Sequence, residues 1–409
     1  MNLKSLVLDC ETSTRNKGNV YTKENKLCLV GILDDQGYEC YSIEYDDSPY
    51  GDNVLRLRRR IESADFIVGF NLKFDLAWIR RYVPDISFPH IFDCQLAEFI
   101  LGDQTEAYPS LDGACSSRLL GRKLDIVERE YWSLGIDTPD IPREVLEPYL
   151  EQDIRLTYEL FKAQCLELNN DKKKKRLFWL QCQDLLILQE MEWNGLRYDY
   201  AKAEELGSEC QAGIQGIDVK LHELAGTPDI DLGSSDHLSC LLYGGTIQVK
   251  YREEYERTLK DGTIRQRSRW SSRPYSFVQQ VKPNEDTEVL PTSKMDDRSL
   301  TEENRKRKEL GLHPFVRHWS VGEPVLRRSN AKGKAKEIID LILRRAELSK
   351  RDSTYYTGLI NKRTEYGWEG DELHGNFNQC VARTGRLSSS SPNLQNFDSE
   401  IKGLFYSRF

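Results

Sequence analysis

The sequence lacks a long apolar run and lacks paired cysteines. No stretch approaches the roughly 20 apolar residues that a membrane-spanning helix needs, and acids near the N-terminus stand where a secretory signal would be apolar. The ten cysteines are scattered singly, without a C-x-x-C pair. This pattern argues against a zinc site or a disulfide framework. The composition therefore predicts a cytoplasmic protein with reduced thiols.

An excess of positive charge is also missing, because the net charge of the whole chain is −8. The charge is unevenly distributed, however. Residues 1–168 hold 19 Lys and Arg against 30 Asp and Glu, a net charge of −11, whereas residues 244–350 hold 24 against 16, a net charge of +8. An acidic region that could hold metal ions is thus followed by a basic region that could hold phosphates.

The first part of the chain alternates between strand and helix patterns. Short apolar runs predict four strands, at Leu3–Leu8, Lys26–Leu33, Glu39–Tyr45 and Asp65–Phe70. Asn71 is predicted to cap the helix that follows the fourth strand, and Pro148 to open a long amphipathic helix over Tyr149–Leu168. These elements predict an α/β domain built on one central sheet.

The patterns change after residue 169. Leu177–Trp193 is strongly helical and ends at Asn194-Gly195, a typical C-cap signal. Residues 244–270 predict a β-hairpin that turns at Lys260-Asp261-Gly262. Residues 282–334 are polar and predicted to be rich in loops, and Ala335–Lys350 reads as a basic helix.

Five residues of the acidic region form an ordered set. Asp9 and Glu11 end the first strand, and their i, i+2 spacing puts both side chains on one face. Asp75 lies in N-L-K-F-D at the start of a helix, while Tyr149 and Asp153 stand one turn apart on the long helix. Taken singly, each has a structural explanation, such as an acid that favours a helix N-terminus.

The order of these motifs resembles the DEDDy family of 3′–5′ exonucleases, over residues 1–168. The resemblance implies an RNase H-like fold. It also implies that Asp9, Glu11 and Asp153 hold one metal ion, that Asp9 bridges to a second ion supported through water by Asp75, and that Tyr149 orients the attacking water. Carboxylate oxygens suit Mg²⁺ or Mn²⁺, and two such ions can activate water and stabilise both oxygens of a phosphodiester displacement.

A second resemblance lies in residues 374–397, which contain T-G-R-L-S-S and then P-N-L-Q-N. This block closely resembles the one that opens the palm of family A DNA polymerases, the bacterial DNA polymerase I group. Fork-shaped and amide side chains suit the minor-groove acceptors that every base pair presents. We expect single-stranded 3′ ends and primer–template duplex to be contacted by Asn71, Phe74, Lys350, Arg386, Asn393, Gln395 and Asn396.

The resemblances predict three domains: an exonuclease domain over 1–168, a mostly helical thumb-like region over 169–345 with a polar, basic insertion at 244–334, and the first strands of a palm over 346–409. The chain ends at Phe409, before the family's D-Y-S-x-x-E segment. We therefore expect proofreading exonuclease activity in DNA replication from this chain, and polymerisation only with a second polypeptide that carries the rest of the palm and the fingers.

Several alternatives stay open. The chain is either half of a naturally split polymerase, which looks most like a phage replication protein of the host cytoplasm, or a truncated product. An RNA 3′ exonuclease of the RNase D type shares the carboxylate set, although T-G-R-L-S-S speaks against it. A non-catalytic DNA-binding subunit of a replication complex is the third possibility.

Overall fold

The structure is a computed structural model that describes residues 4–45, 50–258, 264–283, 289–291, 297–309 and 317–407. The chain forms two compact units. The first unit comprises Met1–Lys202 and Leu359–Phe409, and the second comprises Ala203–Gly358. This grouping joins residues 359–409 to the N-terminal region, whereas the division at 168 and 345 stays a prediction from the sequence.

The described helices and strands follow one another along the chain. The strands are β1 (Ser5–Thr12), β2 (Leu27–Asp34), β3 (Gly37–Ser42), β4 (Phe66–Gly69), β5 (His90–Asp93), β6 (Leu196–Tyr198), β7 (Gly245–Thr258), β8 (Ile264–Phe277), β9 (Val289–Pro291), β10 (Arg317–Trp319), β11 (Glu372–Leu373), β12 (Asn376–Asn378), β13 (Ser388–Ser390) and β14 (Phe405–Tyr406). The helices are α1 (Tyr50–Glu62), α2 (Leu72–Tyr82), α3 (Cys94–Leu101), α4 (Leu111–Ser117), α5 (Ile126–Glu130), α6 (Arg143–Asn170), α7 (Lys172–Asn194), α8 (Tyr200–Ala225), α9 (Ser235–Tyr243), α10 (Asp297–Glu309), α11 (Glu323–Arg327), α12 (Lys334–Thr354), α13 (Tyr356–Tyr366) and α14 (Ser399–Lys402). None of the helices in these ranges has the length and apolar character needed to cross a bilayer.

A five-stranded sheet forms the centre of the first unit, in the order β3-β2-β1-β4-β5. Strands β1, β2 and β3 pair antiparallel, while β4 and β5 run parallel to β1. Helix α6 packs on β1 and β2 at very close range. A Cβ atom at Gly31 would lie 2.3 Å from Cδ1 of Ile154. Glycine at position 31 therefore lets the middle of α6 approach the sheet beside Asp9, its partner in the β1–β2 register.

The four predicted strands, the α/β sheet and a helix that begins directly after Asn71 are confirmed, but capping by the Asn71 side chain and a helix start at Pro148 are wrong. Asn71 precedes α2 in a left-handed conformation, and its side chain forms no capping hydrogen bond. Instead, the carboxylate of Asp93 accepts a hydrogen bond of 2.6 Å from the N–H of Leu72. Helix α6 begins at Arg143, so Pro148 lies inside it. Beyond the first turn a proline removes one intrahelical hydrogen bond, yet the flanking Leu146 and Leu150 are fully buried and hold the helix in place.

The remainder of the first unit consists of α7 and short strands. Helix α7 ends before Gly195, as predicted, and Gly195 adopts a positive φ of 62°. Its N-terminus is capped by Asp171, which accepts hydrogen bonds from the N–H groups of Lys173 and Lys174. Strand β6 pairs with β11 and β14, and β12 pairs with β13. The segment with T-G-R-L-S-S thus enters the same unit as the central sheet.

The second unit has its own apolar core, to which Leu221, Leu242, Ile338 and Ile339 contribute fully buried side chains. The predicted hairpin is confirmed, because β7 and β8 pair antiparallel along their whole length. Its predicted turn at Lys260-Asp261-Gly262 lies outside the described residues. The predicted basic helix is also confirmed, as α12. The region 282–334, predicted to be rich in loops, includes α10, α11 and the β9–β10 pair.

Candidate active site

Five side chains singled out in the sequence line one open cavity of about 370 Å³ in the first unit. They come from three elements: β1 supplies Asp9 and Glu11, α2 supplies Asp75, and α6 supplies Tyr149 and Asp153. The parallel placement of β1 and β4 brings the start of α2 beside the end of β1, and α6 crosses the same sheet. The topology therefore converts a set that is dispersed over 145 positions of sequence into one cluster.

Hydrogen bonds from the main chain fix the acid on α2. An oxygen of Asp75 accepts a hydrogen bond of 3.1 Å from the N–H of Cys10, the residue between the two β1 acids. Asp93, at the end of β5, accepts hydrogen bonds from the first turns of α2 and α3, at Leu72 and Leu96. Burial raises the pKa of Asp93 to about 6, although these backbone hydrogen bonds oppose the rise. Asp93 thus helps to hold the helix that carries Asp75.

The clustered carboxyl groups raise one another's pKa values. The pKa of Asp9 rises to about 7, first because the site is buried and second because Asp153 is close. The pKa values of Glu11 and Asp75 rise well above their usual range, from burial first and then from the charge of Asp9. Several buried acids of like charge without a compensating cation are electrostatically unfavourable. A bound cation would relieve this repulsion.

Lys123 supplies one positive charge to the cavity, and sequence analysis missed it. Its ammonium pairs with Oδ2 of Asp153 and lies 5.3 Å from the ring centre of Tyr149. Burial alone would lower the pKa of Lys123, but Asp153, Tyr149 and Asp9 raise it above its usual value. The residue stands in a segment between α4 and α5, and no spacing motif marks it. The fold alone brings it to the cavity.

The cavity fits a divalent cation by the chemistry of its donors. Four carboxyl groups face it, and Oδ1 of Asp153 is buried without a hydrogen-bond partner in the described part of the chain. Within those same residues, no three acidic, histidine or cysteine side chains already stand close enough to hold a metal ion. The ammonium of Lys123 occupies one oxygen of the Asp153 carboxylate, Oδ2. Hard oxygen donors of this type suit Mg²⁺ or Mn²⁺.

Aromatic and amide groups form the wall of the cavity beside α2. Asn71 is exposed and Phe74 is half-buried, and both line the cavity, as does Phe70. Gly18 packs against Phe74: with a φ of 68°, a Cβ atom there would lie 2.9 Å from the phenyl ring. The ring is thus partly supported by the protein and partly open to a ligand.

The other predicted DNA contacts do not line this cavity. In the first unit, Arg386, Asn393, Gln395 and Asn396 are exposed near β13. Gln395 donates hydrogen bonds to the carbonyl of Leu387 and, from its backbone, to Oδ1 of Asn393, which folds this loop.

Lys350, the remaining predicted DNA contact, is exposed on α12 in the second unit. It lies on the basic helix that the sequence predicted. The structure therefore gathers the acids with Asn71 and Phe74 and leaves the other predicted contacts on exposed segments.

Two family models match the chain: the 3′–5′ exonuclease model over residues 1–169 and the DNA polymerase family A model over residues 299–406. Over these two stretches the chain is similar to family A DNA polymerases and to their 3′–5′ exonuclease domain. DNA polymerase I of Synechocystis sp. is 27% identical over 334 residues, which is 80% of this chain and 26% of that protein. The DNA polymerase of Bacillus phage SP01 is 21% identical over 424 residues, which is 95% of this chain and 42% of that protein.

The POL domain of Pol1 from M. smegmatis, solved in complex with DNA primer-template and dNTP, shares the fold. The matched region covers 97% of this chain and 52% of the solved Pol1 chain, with a TM-score of 0.59 and 15% sequence identity. This chain thus spans about half or less of the length of these relatives. The predicted resemblance to the exonuclease and polymerase parts of family A, the α/β fold with an RNase H-like exonuclease domain, and the nuclease class of enzyme are confirmed.

Proposed function

We propose that this chain removes nucleotides from DNA 3′ ends as the proofreading exonuclease of a replication polymerase. The observation that carries the proposal is the convergence of Asp9, Glu11, Asp75 and Asp153 with Tyr149 on one cavity. The match of family A over residues 299–406 argues against an RNA exonuclease of the RNase D type. We further propose that the protein acts in the cytoplasm, or in the cytoplasm of the host if a phage encodes it.

The exonuclease family depends generally on divalent metal, and we propose two ions of Mg²⁺ or Mn²⁺ here. Asp9, Glu11 and Asp153 would hold the first ion, with Asp9 shared by the second and Asp75 supporting the second through water. When bound, the metal supplies an activated water and stabilises charge on the leaving oxygen. The metal would compete with Lys123 for the carboxylate of Asp153, whose Oδ2 pairs with the ammonium while Oδ1 has no partner in the described part of the chain.

The remaining side chains of the cavity position the substrate and the water. The pKa of Tyr149 is raised, first by burial, so its hydroxyl stays protonated at neutral pH and can orient a water by hydrogen bonding. Phe74 can stack on a terminal base of a single-stranded 3′ end, and the amide of Asn71 can contact the backbone beside it. The Lys123 ammonium, once released from Asp153, can pair with a phosphate.

Template-directed synthesis is a proposal for the whole protein. Arg386, Asn393, Gln395 and Asn396 carry donors suited to the minor groove of a primer–template duplex. Phosphoryl transfer onto a primer needs metal-binding carboxylates of a palm. A second polypeptide with the rest of the palm and fingers stays a prediction. Pull-down with a chain that begins near D-Y-S-x-x-E tests it, and a pair that does not associate would contradict it.

The nuclease is tested with a 5′-labelled single-stranded DNA, with and without Mg²⁺. We expect the parent to shorten the DNA from its 3′ end only with metal, and Asp9→Ala to abolish the activity. Asp35→Ala, which removes an exposed acid in the turn after β2, is the matched control and should keep the parent rate. Digestion by Asp9→Ala at the parent rate would refute the site, and an inactive parent would favour the non-catalytic DNA-binding alternative.

A further inference from the structure

The two strands of the hairpin in the second unit carry very different side chains on their two faces. Strands β7 and β8 pair residue by residue, with Glu253 opposite Arg269 and Tyr255 opposite Arg267. Paired residues of an antiparallel ladder share a face, and successive residues alternate between faces. One face, here called the arginine face, carries Tyr251, Glu253, Tyr255, Arg265, Arg267, Arg269, Ser271 and Arg273. The opposite face carries Lys250, Arg252, Glu254, Glu256, Ile264, Gln266, Ser268, Trp270 and Ser272.

The positive charge is concentrated on the arginine face. Among the residues just named, the arginine face has four arginines and one glutamate, whereas the opposite face has two cations and two glutamates. Strand β8 contains no acidic residue at all. For these residues the register of the hairpin, which the sequence of β8 alone does not reveal, gives a net charge of +3 on one face and of zero on the other.

The base of the hairpin holds this surface in place. On the arginine face, Ile247 and Val249 of β7 are buried at 3% and 2% exposure in the core of the second unit. Tyr275 and Phe277 of β8 pack against the same core. The part of the face beyond Arg273 projects away from this anchor, and its arginines are exposed. The hairpin therefore presents its charge on a strand pair that is anchored at one end.

The contacts of the arginines show which of them are available to a ligand. Arg269 binds Glu253 at 2.8 Å and lies over the ring of Tyr255 at 5.4 Å from its centre. Arg273 binds Asp229 at 2.5 Å. Arg265 and Arg267 are exposed and form no ion pair within the described residues. Two arginines are thus held by the protein, and two are available.

We propose that the arginine face of the β7–β8 hairpin binds the phosphate backbone of duplex DNA, an inference that rests on the proposed role of this protein on DNA. Alternate residues of a strand lie about 6.8 Å apart, so Arg265 and Arg267 can each reach a separate phosphate. Tyr255 and Tyr251 have arginines over their rings, at 5.4 and 5.7 Å. Rings covered in this way favour backbone contact over the base stacking that binds single strands.

The test compares two double variants of the full chain that remove the same charge from opposite faces. Arg265→Thr/Arg267→Thr changes the arginine face, and Lys250→Thr/Arg252→Thr is the matched control; threonine retains strand propensity. Binding of a blunt 20-base-pair duplex is measured by fluorescence anisotropy in EDTA, which stops digestion, at salt concentrations from 50 to 200 mM. Two lost phosphate contacts should lower the slope of log affinity against log salt by about 1.8.

Across this fourfold range of salt, the affinity of the parent should therefore fall about 12-fold more than that of the arginine-face variant. The control variant should keep a slope close to that of the parent. An unchanged slope in the arginine-face variant, equal losses in both variants, or a larger loss on a single-stranded 20-mer than on duplex would each overturn the proposal. Release of nucleotides from a trinucleotide with Mg²⁺ is measured in parallel. A trinucleotide forms no duplex, so this assay tests the proposed nuclease activity independently of the proposed duplex binding.

Discussion

Replacing Asp9 by asparagine should stabilise the metal-free protein at alkaline pH. The pKa of Asp9 rises from 3.8 to about 7 on folding, and each pKa unit corresponds to about 1.4 kcal/mol. Ionising Asp9 in the folded state therefore costs up to roughly 4 kcal/mol. Asp9 is partly exposed, so solvent screening reduces the expected gain from Asp9→Asn to about 2–4 kcal/mol at pH 8.

The pH dependence of this gain has a defined direction. A carboxyl group whose pKa is higher in the folded than in the unfolded state binds protons more tightly when folded. Its stabilising contribution is complete below about pH 4 and is lost as the pH rises through about 7. The advantage of Asp9→Asn should therefore be absent near pH 4, grow between pH 4 and 7, and level off above that.

Urea unfolding in EDTA, followed by tryptophan fluorescence, measures the free energy of unfolding at each pH for parent and variant. Asp35→Asn, on an exposed turn, is the control and should change stability little at any pH. Adding Mg²⁺ should then stabilise the parent by preferential binding to the folded state, and stabilise Asp9→Asn less. A variant that is no more stable than the parent at pH 8, or a gain that does not depend on pH, would refute the electrostatic reasoning.

Three further substitutions test neighbouring groups. Tyr149→Phe should slow DNA cleavage by roughly 10–1000-fold while calorimetric titration still detects Mg²⁺; loss of metal binding would contradict a role in water orientation. Lys123→Met should leave Asp153 unpaired and reduce the metal-free stability by about 1–3 kcal/mol, with Mg²⁺ restoring part of the loss in urea unfolding. Lys73, whose largely buried ammonium pairs with Glu192, is the third position: Lys73→Met should destabilise the fold by about 2–4 kcal/mol. The further change Glu192→Gln should recover part of this loss, whereas additive effects of the two changes on the free energy of unfolding would show that the two side chains do not interact.

The sequence predicted the acids of the cavity well because strand periodicity and helical spacing are local. Strand alternation over three residues places Asp9 and Glu11 on one face, and helical periodicity over five residues places Tyr149 and Asp153 on one face. Lys123 could not be found in this way, since its place in the cavity depends on how the two short helices on either side of it, α4 and α5, pack against α6.

The predictions of the start of α6 and of the cap of α2 were wrong for a related reason. The start of α6 is set by packing of Leu146 and Leu150 in the core, which outweighs the local signal of Pro148. The N-terminus of α2 is capped by Asp93, a residue 21 positions from Leu72, and not by the neighbouring Asn71. Local propensity is informative only where no tertiary contact competes with it.

Lys73 connects two stretches of chain that match different family models. Two residues before Asp75 on α2, its ammonium binds Glu192 at 2.6 Å, Asn376 at 2.7 Å and the carbonyl of Phe377 at 2.5 Å. The helix that carries an acid of the nuclease cavity is thus fastened to the stretch that matches the polymerase family. In a genetic screen, a mutator allele at position 376 would be assigned to faulty nucleotide selection on sequence grounds. Because Lys73 contacts Asn376, such an allele could instead impair the removal of mismatched nucleotides. The cleavage rate of each allele should therefore be measured separately on mismatched and on matched 3′ ends.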